Sequence, residues 1–216
     1  IEFVVVNDGS TDNSLDYLLS IKNTNLTIIT KKNSGLASAL NLGIKQSKGK
    51  YIARIDADDA ILPKRFERQL DYLERNGYDL IGSWCRLVEN DKESIVKTPV
   101  SNNDILRHIA KDNPFIHSTI FCKKEVFEKL GFYNESFRFM QDYELWIRIV
   151  DKINCGNLPE ATVIRYEDNN FSTRETYKNL KKWQYYDKKY KLLLAALFKY
   201  NNSSGLIRLL KDFTLS

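Results

Sequence analysis

The sequence has few of the features that mark several common classes of protein. Its three cysteines, Cys85, Cys122 and Cys155, are far apart and odd in number. They therefore fit neither a disulfide framework nor a zinc-finger spacing, and they indicate a reducing compartment. No apolar run is long enough to cross a bilayer, and no signal-peptide pattern is visible in these residues. We expect a cytoplasmic protein rather than a secreted or membrane-spanning one.

Composition and charge indicate an ordinary globular domain. Of the 216 residues, 43% are hydrophobic and 28% are charged, which argues against disorder. This length suits one α/β domain with a helical appendage. The formal net charge of +5 is mild. A nucleic-acid-binding domain clusters its basic residues with aromatics, whereas the lysine-rich segments here lie mostly near the C-terminus, so we expect no nucleic-acid partner.

The first half of the chain alternates between short apolar runs and segments with helical periodicity. The predicted strands are residues 3–6, 26–30, 51–55 and 78–88, and the helices between them present Leu15, Leu18 and Leu19, then Leu36, Leu40 and Ile44, then Phe66, Leu70 and Leu73. This alternation predicts a mostly parallel central sheet flanked by helices, with ligands bound beyond the carboxyl ends of the strands. Because the chain begins inside a strand, we expect an earlier strand–helix unit to be missing.

Three carboxylates end the third predicted strand. Asp56, Asp58 and Asp59, called here the acid cluster, repel one another unless a cation lies among them. The usual cation for an all-oxygen site is Mg²⁺ or Mn²⁺, bound by one or two carboxylates and the phosphates of a substrate. Asp8 follows the first strand, so a parallel sheet places it on the same edge. These positions favour a metal–nucleotide site over a solvated acidic turn.

The second half is less regular. We predict a helix over residues 101–111, a strand over 118–122, a helix over 125–130, and a further helix that begins near Asp142. An acid in the first turn of a helix is stabilised by the helix dipole, so Asp142 has a structural interpretation as well as a catalytic one.

Four motifs in a fixed order resemble a known family. They are Asn-Asp-Gly-Ser-Thr-Asp at 7–12, Asn-Ser-Gly-Leu at 33–36, Asp-Ala-Asp-Asp at 56–59 and Gln-Asp-Tyr-Glu-Leu-Trp at 141–146. Together they resemble the family 2 glycosyltransferases, which are inverting enzymes with the GT-A nucleotide-sugar fold. The resemblance covers residues 1–170. It implies an α/β GT-A domain over residues 1–172 and a metal-dependent transfer from a nucleotide-sugar donor to a glycan or lipid-linked acceptor.

The resemblance also implies roles for individual residues. Asp8 receives the N–H of the uracil ring if the donor is a UDP-sugar, and Asp56 lies nearer the ribose. Asp58 is placed nearest the divalent metal (Mn²⁺ or Mg²⁺), with Asp59 as a further metal ligand. Asp142 matches the catalytic base.

This sequence departs from the family pattern at two motif positions. Asn7 replaces an aspartate before Asp8, and Gln141 replaces a glutamate before Asp142, which removes one negative charge beside the base. Glu144 lies two residues further along the helix and is the fallback base.

Two more residues are candidates with alternative structural roles. Arg54 shares a strand face with Asp56, and pairing with that carboxylate is favoured over a phosphate contact. His117 resembles a family position on the acceptor side, although a lone histidine is more often structural.

The C-terminal extension, residues 173–216, has aromatic residues at helical spacing interleaved with lysines. A basic amphipathic helix of this kind suits an anionic membrane surface, and it equally suits packing on the sheet or on a second subunit as a homodimer. Lipid-linked acceptors in the family favour the inner face of the membrane.

Two alternatives to a glycosyltransferase remain open. A nucleotidyltransferase of related α/β architecture also uses acids and Mg²⁺, but the glycine-rich phosphate loop that it needs is not visible. A nucleotide-sugar-binding domain with weakened catalysis is the other, since Gln141 and the truncated start depart from the family.

Overall fold

The computed structural model describes residues 1–167, 191–192, 194–196 and 199–200. In chain order the elements are β1 (Phe3–Asn7), α1 (Ser14–Ser20), β2 (Leu26–Thr30), α2 (Leu36–Gln46), β3 (Tyr51–Ala53), β4 (Ala60–Ile61), α3 (Arg65–Arg75), β5 (Leu80–Glu89), β6 (Lys92–Val96), α4 (Asn102–His108), a 3₁₀ turn (His117–Thr119), β7 (Phe121–Lys123), α5 (Lys124–Leu130), α6 (Gln141–Ile149) and β8 (Cys155–Glu167). The chain forms two compact units. The first contains Ile1–Ile52 and Lys123–Leu145, and the second contains Ala53–Cys122 and the described residues from Trp146 onward.

In the first unit, β1 and β2 form a parallel pair that α2 covers. Their register runs from Phe3 opposite Leu26 to Asn7 opposite Thr30. The predicted apolar stripe of α2 is only partly right, because Leu36 is 44% exposed, whereas Ile44 is buried. Small residues allow a close approach here: a Cβ on Gly43 would lie 3.4 Å from a methyl group of Val6 on β1.

The larger sheet is mixed rather than mostly parallel. Its strand order is β3-β7-β5-β8-β4, and β6 also pairs with β5. The pair β5–β8 is parallel, whereas β5–β6, β5–β7 and β4–β8 are antiparallel. The strand β8 was not predicted, because Gly156, Asn157 and Pro159 interrupt its apolar pattern. The α/β class with flanking helices is confirmed, and the parallel prediction is right for β1–β2 and β5–β8.

The segment predicted as a strand over residues 118–122 contains a 3₁₀ turn followed by the short strand β7. The Thr119 side chain explains the difference. Its hydroxyl donates to the carbonyl of Ile116 (2.8 Å) while its N–H donates to the same carbonyl (2.9 Å). These local bonds compete with a sheet ladder and close the turn instead.

The inward face of α3 is displaced by one position from the prediction. Arg65, Gln69 and Leu73 are buried, at spacings of four residues, whereas Phe66 and Leu70 are only partly buried. Two polar side chains therefore lie where the periodicity predicted apolar ones.

An apolar core in the second unit surrounds Trp146. The indole is fully buried, and the ring of Phe115 packs edge-on against it with centroids 5.3 Å apart. Cys85, Cys122 and Cys155 are free, as their spacing predicted, and all three are buried.

The described residues of the C-terminal extension pack against the end of α6. Leu192 and Ala196 are buried. Lys199 Nζ donates to the Ile147 carbonyl (2.8 Å) and to Asp151 Oδ1 (2.7 Å), so it places a positive charge where the helix dipole favours one. The rest of the predicted extension, including its boundary at residue 173, lies outside the described residues. Among the helices in the described part of the chain, none is long and apolar enough to cross a membrane.

Asn41 on α2 fixes the loop that leads to α6. Its Nδ2 donates to the Tyr133 carbonyl (2.9 Å) and to Glu135 Oε1 (2.8 Å), and its Oδ1 accepts the Tyr133 N–H (2.9 Å). Asn41 and Tyr133 are both buried. The amide thus satisfies both backbone groups of a buried loop residue.

Replacing Asn41 should destabilise the protein without removing apolar contacts. In Asn41→Ala the buried Tyr133 N–H and carbonyl lose their partner, which costs about 1–3 kcal/mol of the free energy of unfolding. Urea denaturation followed by circular dichroism measures this loss. Gln46→Ala, an exposed position on the same helix, is the matched control. Equal stability of Asn41→Ala and the parent would contradict this account of the loop.

Candidate active site

Asp8 directly follows β1 and binds the loop between β2 and α2. Its Oδ1 accepts from Lys31 Nζ (2.8 Å) and the Ser34 N–H (3.0 Å), and its Oδ2 accepts from the Gly35 N–H (2.8 Å). Partial burial raises the pKa of Asp8, but these hydrogen bonds outweigh burial and hold the pKa below its usual value. Asp8 is therefore an ionised carboxylate at the carboxyl end of a strand, as predicted, and it organises the neighbouring loop.

The two motifs around Asp8 form one loop arrangement. Gly9 has φ +78° and Gly35 has φ +94°, a region that favours glycine. A Cβ on Gly9 would lie 2.8 Å from the Asn33 backbone nitrogen, so only glycine fits. Asn7 accepts the Ser10 N–H through its Oδ1 (2.9 Å), which gives this departure from the family pattern a turn-forming role.

Arg54 and Asp56 form a two-point ion pair in the second unit. Arg54 Nη1 donates to Asp56 Oδ2 (2.6 Å), and Nη2 donates to Asp56 Oδ1. The arginine is only 7% exposed. The predicted pairing is thus present, although β3 ends at Ala53 rather than at residue 55 and both residues follow the strand. It neutralises one of the three charges of the acid cluster.

Ser118 links two members of the acid cluster. Its hydroxyl contacts Asp56 Oδ2 (2.7 Å) and Asp59 Oδ2. Because a hydroxyl carries a single hydrogen, Ser118 donates to one carboxylate at a time. Burial raises the pKa of Asp59, and the charge of Asp56 adds to this effect.

Asp58 and Asp59 are the residues of the acid cluster that could hold a hard divalent cation. Asp58 is exposed and makes no hydrogen bond or ion pair with a described residue, so its oxygens are open to a ligand. Burial raises the pKa of Asp59 above its usual value, and the charge of Arg165 offsets only part of that effect. Within residues 1–167 and the later described positions, no group of three or more His, Cys, Asp or Glu side chains gathers into a complete metal site. Two carboxylates without a third protein ligand suit an ion whose remaining ligands are phosphates and water.

Asp142 lies in the first turn of α6, as predicted. It is half-buried, and its neighbour Gln141 is 6% exposed. Gln141 Oε1 accepts no hydrogen bond from any residue that the structure describes. Met140, directly before the helix, has φ +58°, a conformation that costs a non-glycine residue about 1–3 kcal/mol and is typical of functional sites.

Glu144 shares the first turn of α6 with Asp142 and is also half-buried. Its N–H donates to the Met140 carbonyl (3.0 Å), which begins the helical hydrogen-bond ladder. Its position two residues after Asp142 puts it on a different side of the helix.

His117 begins the 3₁₀ turn and immediately precedes Ser118. Its ring packs edge-on to Trp146 with centroids 6.3 Å apart. Burial, assisted by the charge of Arg54, lowers the pKa of His117 well below its usual value. The imidazole is therefore neutral at physiological pH.

Sequence patterns missed the partners of the predicted acids. Lys31 and Ser118 were not assigned to Asp8 and to the acid cluster, because each lies more than twenty residues away along the chain. One feature of the sequence indicates a buried polar contact. Arg65 and Gln69 lie four residues apart on the buried face of an otherwise amphipathic helix.

Comparisons with known proteins agree with the motifs. Residues 1–131 match the family described as glycosyl transferase family 2. The amylovoran biosynthesis glycosyltransferase AmsE of Erwinia amylovora is 34% identical over 167 residues, which cover 74% of this chain and 62% of the relative. An Escherichia coli UDP-Gal:alpha-D-GlcNAc-diphosphoundecaprenol beta-1,3-galactosyltransferase is 31% identical over 170 residues, covering 75% of this chain and 61% of the relative.

A solved structure shows the same fold. The crystal structure of S. aureus TarS residues 1–349 in complex with UDP-GlcNAc superimposes with a TM-score of 0.65 at 18% identity, covering 79% of this chain and 50% of that one. This chain spans about 60% of the length of the two curated relatives named above. On the family match and these similarities, the chain belongs to glycosyl transferase family 2 and has its GT-A fold.

Proposed function

We propose that this protein transfers a sugar from a UDP-sugar to a hydroxyl group of a glycan or lipid-linked acceptor, with inversion at the anomeric carbon and with a divalent metal ion. The observation that carries the proposal is the pair of carboxylates Asp58, which is exposed, and Asp59, whose pKa burial raises, beside the neutralised Arg54–Asp56 pair. The relatives support the chemistry: one is named for amylovoran biosynthesis, and another is named for galactosyl transfer to a diphosphoundecaprenol-linked sugar. The TarS structure contains UDP-GlcNAc.

In this proposal Asp58 and Asp59 hold Mn²⁺ or Mg²⁺. When bound, the ion supplies Lewis-acid stabilisation of the negative charge on the departing diphosphate. The protein contributes two hard oxygen ligands, and Ser118 orients Asp59 through its hydroxyl.

Asp142 acts as the general base. Its carboxylate removes the proton of the acceptor hydroxyl as the acceptor oxygen bonds to the anomeric carbon and the bond from that carbon to the diphosphate oxygen breaks. The proton ends on Asp142, and the electron pair leaves with the nucleoside diphosphate. Because attack and departure occur on opposite faces, one base suffices and the configuration inverts. A positioned base of this kind contributes about 10²–10⁴-fold to the rate.

Asp8 and Asp56 recognise the nucleoside. Asp8 is held ionised, and its Oδ2 accepts one hydrogen bond from a described residue, which leaves a lone pair for the N–H of a uracil ring. Asp56 lies towards the ribose, and Arg54 fixes its orientation by two-point contact. Arg54 thus serves donor binding through Asp56.

His117 and Glu144 are assigned to the acceptor side. A neutral imidazole both donates and accepts a hydrogen bond, which suits a sugar hydroxyl. A lipid-linked acceptor would bring the protein to the inner face of the membrane, with the C-terminal extension as the contact.

Removing the base should abolish transfer while sparing donor binding. In Asp142→Asn the proton acceptor is lost at constant size, so the transfer rate should fall by about 10²–10⁴-fold. The measurement is product formation with a panel of UDP-sugars and an acceptor, together with the donor dissociation constant. Glu128→Gln, at an exposed acid on α5, is the matched control and should keep the parent activity. An unchanged rate in Asp142→Asn would refute the base assignment.

Metal removal should stop the reaction. Treatment with EDTA should abolish transfer, and excess Mn²⁺ should restore it. Asp58→Asn should raise the Mn²⁺ concentration for half-maximal rate by about tenfold or more, since it removes a charged ligand. Asp71→Asn, an exposed acid on α3, is the control and should behave like the parent. Full activity in EDTA would contradict the metal assignment.

Nucleotide recognition by Asp8 is testable separately. Asp8→Asn should weaken UDP binding by about tenfold, because a charged acceptor is replaced by a neutral amide that loosens the contacts with Lys31 and Gly35. Lys31→Met removes the ion pair but leaves the carboxylate, so it should retain more affinity. Fluorescence titration with UDP measures both. If Asp8→Asn binds UDP as tightly as the parent, Asp8 has only a structural role.

A further inference from the structure

An arginine is buried on α3 without a carboxylate partner among the described residues. Arg65 is 1% exposed, and Gln69, one helical turn later, is fully buried. Burial of a cation is costly unless hydrogen bonds compensate for the lost water. Burial and the nearby charge of Arg54 lower the pKa of Arg65 to about 10. The chain keeps this costly group where an apolar residue would complete the helix face.

The compensation comes from backbone carbonyl groups. Arg65 Nη2 donates to the Arg54 carbonyl (2.6 Å) and to the Ile120 carbonyl (3.3 Å). Arg65 Nε donates to Gln69 Oε1 (2.9 Å), and Gln69 Nε2 donates to the Thr119 carbonyl (2.7 Å). The two side chains therefore hold three carbonyl groups, and Gln69 fixes the plane of the guanidinium.

These carbonyl groups belong to the two backbone segments that carry the acid cluster and its partners. Arg54 holds Asp56 by two-point contact, and the chain continues from there to Asp58 and Asp59. Thr119 and Ile120 directly follow the serine whose hydroxyl contacts Asp56 and Asp59. The segments are also joined by the pairing of β3 with β7 and by a backbone bond from the Arg54 N–H to the Ile120 carbonyl (2.9 Å). The Arg65–Gln69 pair adds three further bonds to backbone carbonyl groups.

We propose that Arg65, oriented by Gln69, is a positioning residue for the transfer reaction. Its guanidinium fixes the distance between the strand end at Arg54 and the turn at residues 117–120, and so sets the geometry in which Asp58 and Asp59 receive a divalent cation. This inference rests on the proposed function, because it gives the acid cluster the metal role assigned above. Arg65 touches neither substrate nor metal.

A positioning role of Arg65 can be distinguished from a general contribution to the stability of the fold. A stabilising residue affects the folded fraction, whereas a positioning residue affects the affinity of the site for its cation in molecules that remain folded. Lysine keeps the charge but presents a compact ammonium in place of a planar fork, so it cannot reproduce the contacts with two carbonyl groups and Gln69.

The test compares Arg65→Lys and Gln69→Met with Arg68→Ala. Arg68 lies on the same helix, is exposed, and pairs only at the surface with Glu160 (3.0 Å) among the described residues. Electron paramagnetic resonance titration of Mn²⁺ in the presence of UDP gives the cation affinity without any turnover. Transfer assays give KM and kcat, and thermal unfolding gives Tm.

We expect Arg65→Lys and Gln69→Met to weaken Mn²⁺ binding by about tenfold or more at a temperature where both are folded, because small displacements of a site cost large factors in function. Donor KM should rise with the Mn²⁺ dissociation constant, and Arg68→Ala should match the parent.

Two outcomes would overturn the inference. The first is a folded Arg65→Lys variant that binds Mn²⁺ as tightly as the parent, whatever its Tm. If Arg65→Lys does not fold, the second is a Gln69→Met variant that binds Mn²⁺ as tightly as the parent. A parent protein that binds Mn²⁺ and UDP but transfers no sugar would overturn the proposed function alone, since the cation measurement needs no reaction.

Discussion

Repulsion among three carboxylates within four residues is the constraint around which this part of the molecule is built. Asp56 is neutralised by a nearly buried arginine that meets it with two hydrogen bonds. Asp58 and Asp59 form no ion pair with a described residue, and burial raises the pKa of Asp59. Asp56 is thus charge-paired within the protein, whereas Asp58 and Asp59 are the carboxylates to which the proposed divalent cation would bind. The three aspartates therefore differ in their roles because they differ in their charged partners.

The two units hold their acidic residues through different kinds of contact. Asp8 in the first unit relies on a lysine and two backbone N–H groups, and glycines at positive φ let the loop approach closely. The second unit relies on the buried guanidinium of Arg65, which holds carbonyl groups rather than carboxylates. In the first unit these bonds keep a carboxylate ionised, and in the second they keep a turn in place through backbone carbonyl groups.

Sequence patterns predicted what local physics determines. The strand before Asp8 and the helix start at Asp142 followed from periodicity and turn chemistry. The Arg54–Asp56 pair was also predicted, although β3 ends before both residues. Patterns failed where a distant contact decides the outcome. A hydroxyl 62 residues away completes the acid cluster, and side-chain bonds of Thr119 turn a predicted strand into a 3₁₀ turn. Strand β8 escaped prediction because its pairing with β5 tolerates polar residues and a register shift.

Calorimetric titration of UDP into the protein, with Mn²⁺ and then with EDTA, tests the central claim most directly. The account predicts that UDP binds only when the metal is present, and that GDP binds more weakly under the same conditions. Metal-dependent binding that favours GDP would keep the metal site but overturn the uridine assignment. Equal UDP affinity in Mn²⁺ and in EDTA would contradict the claim that the carboxylates of Asp58 and Asp59 act through a divalent cation.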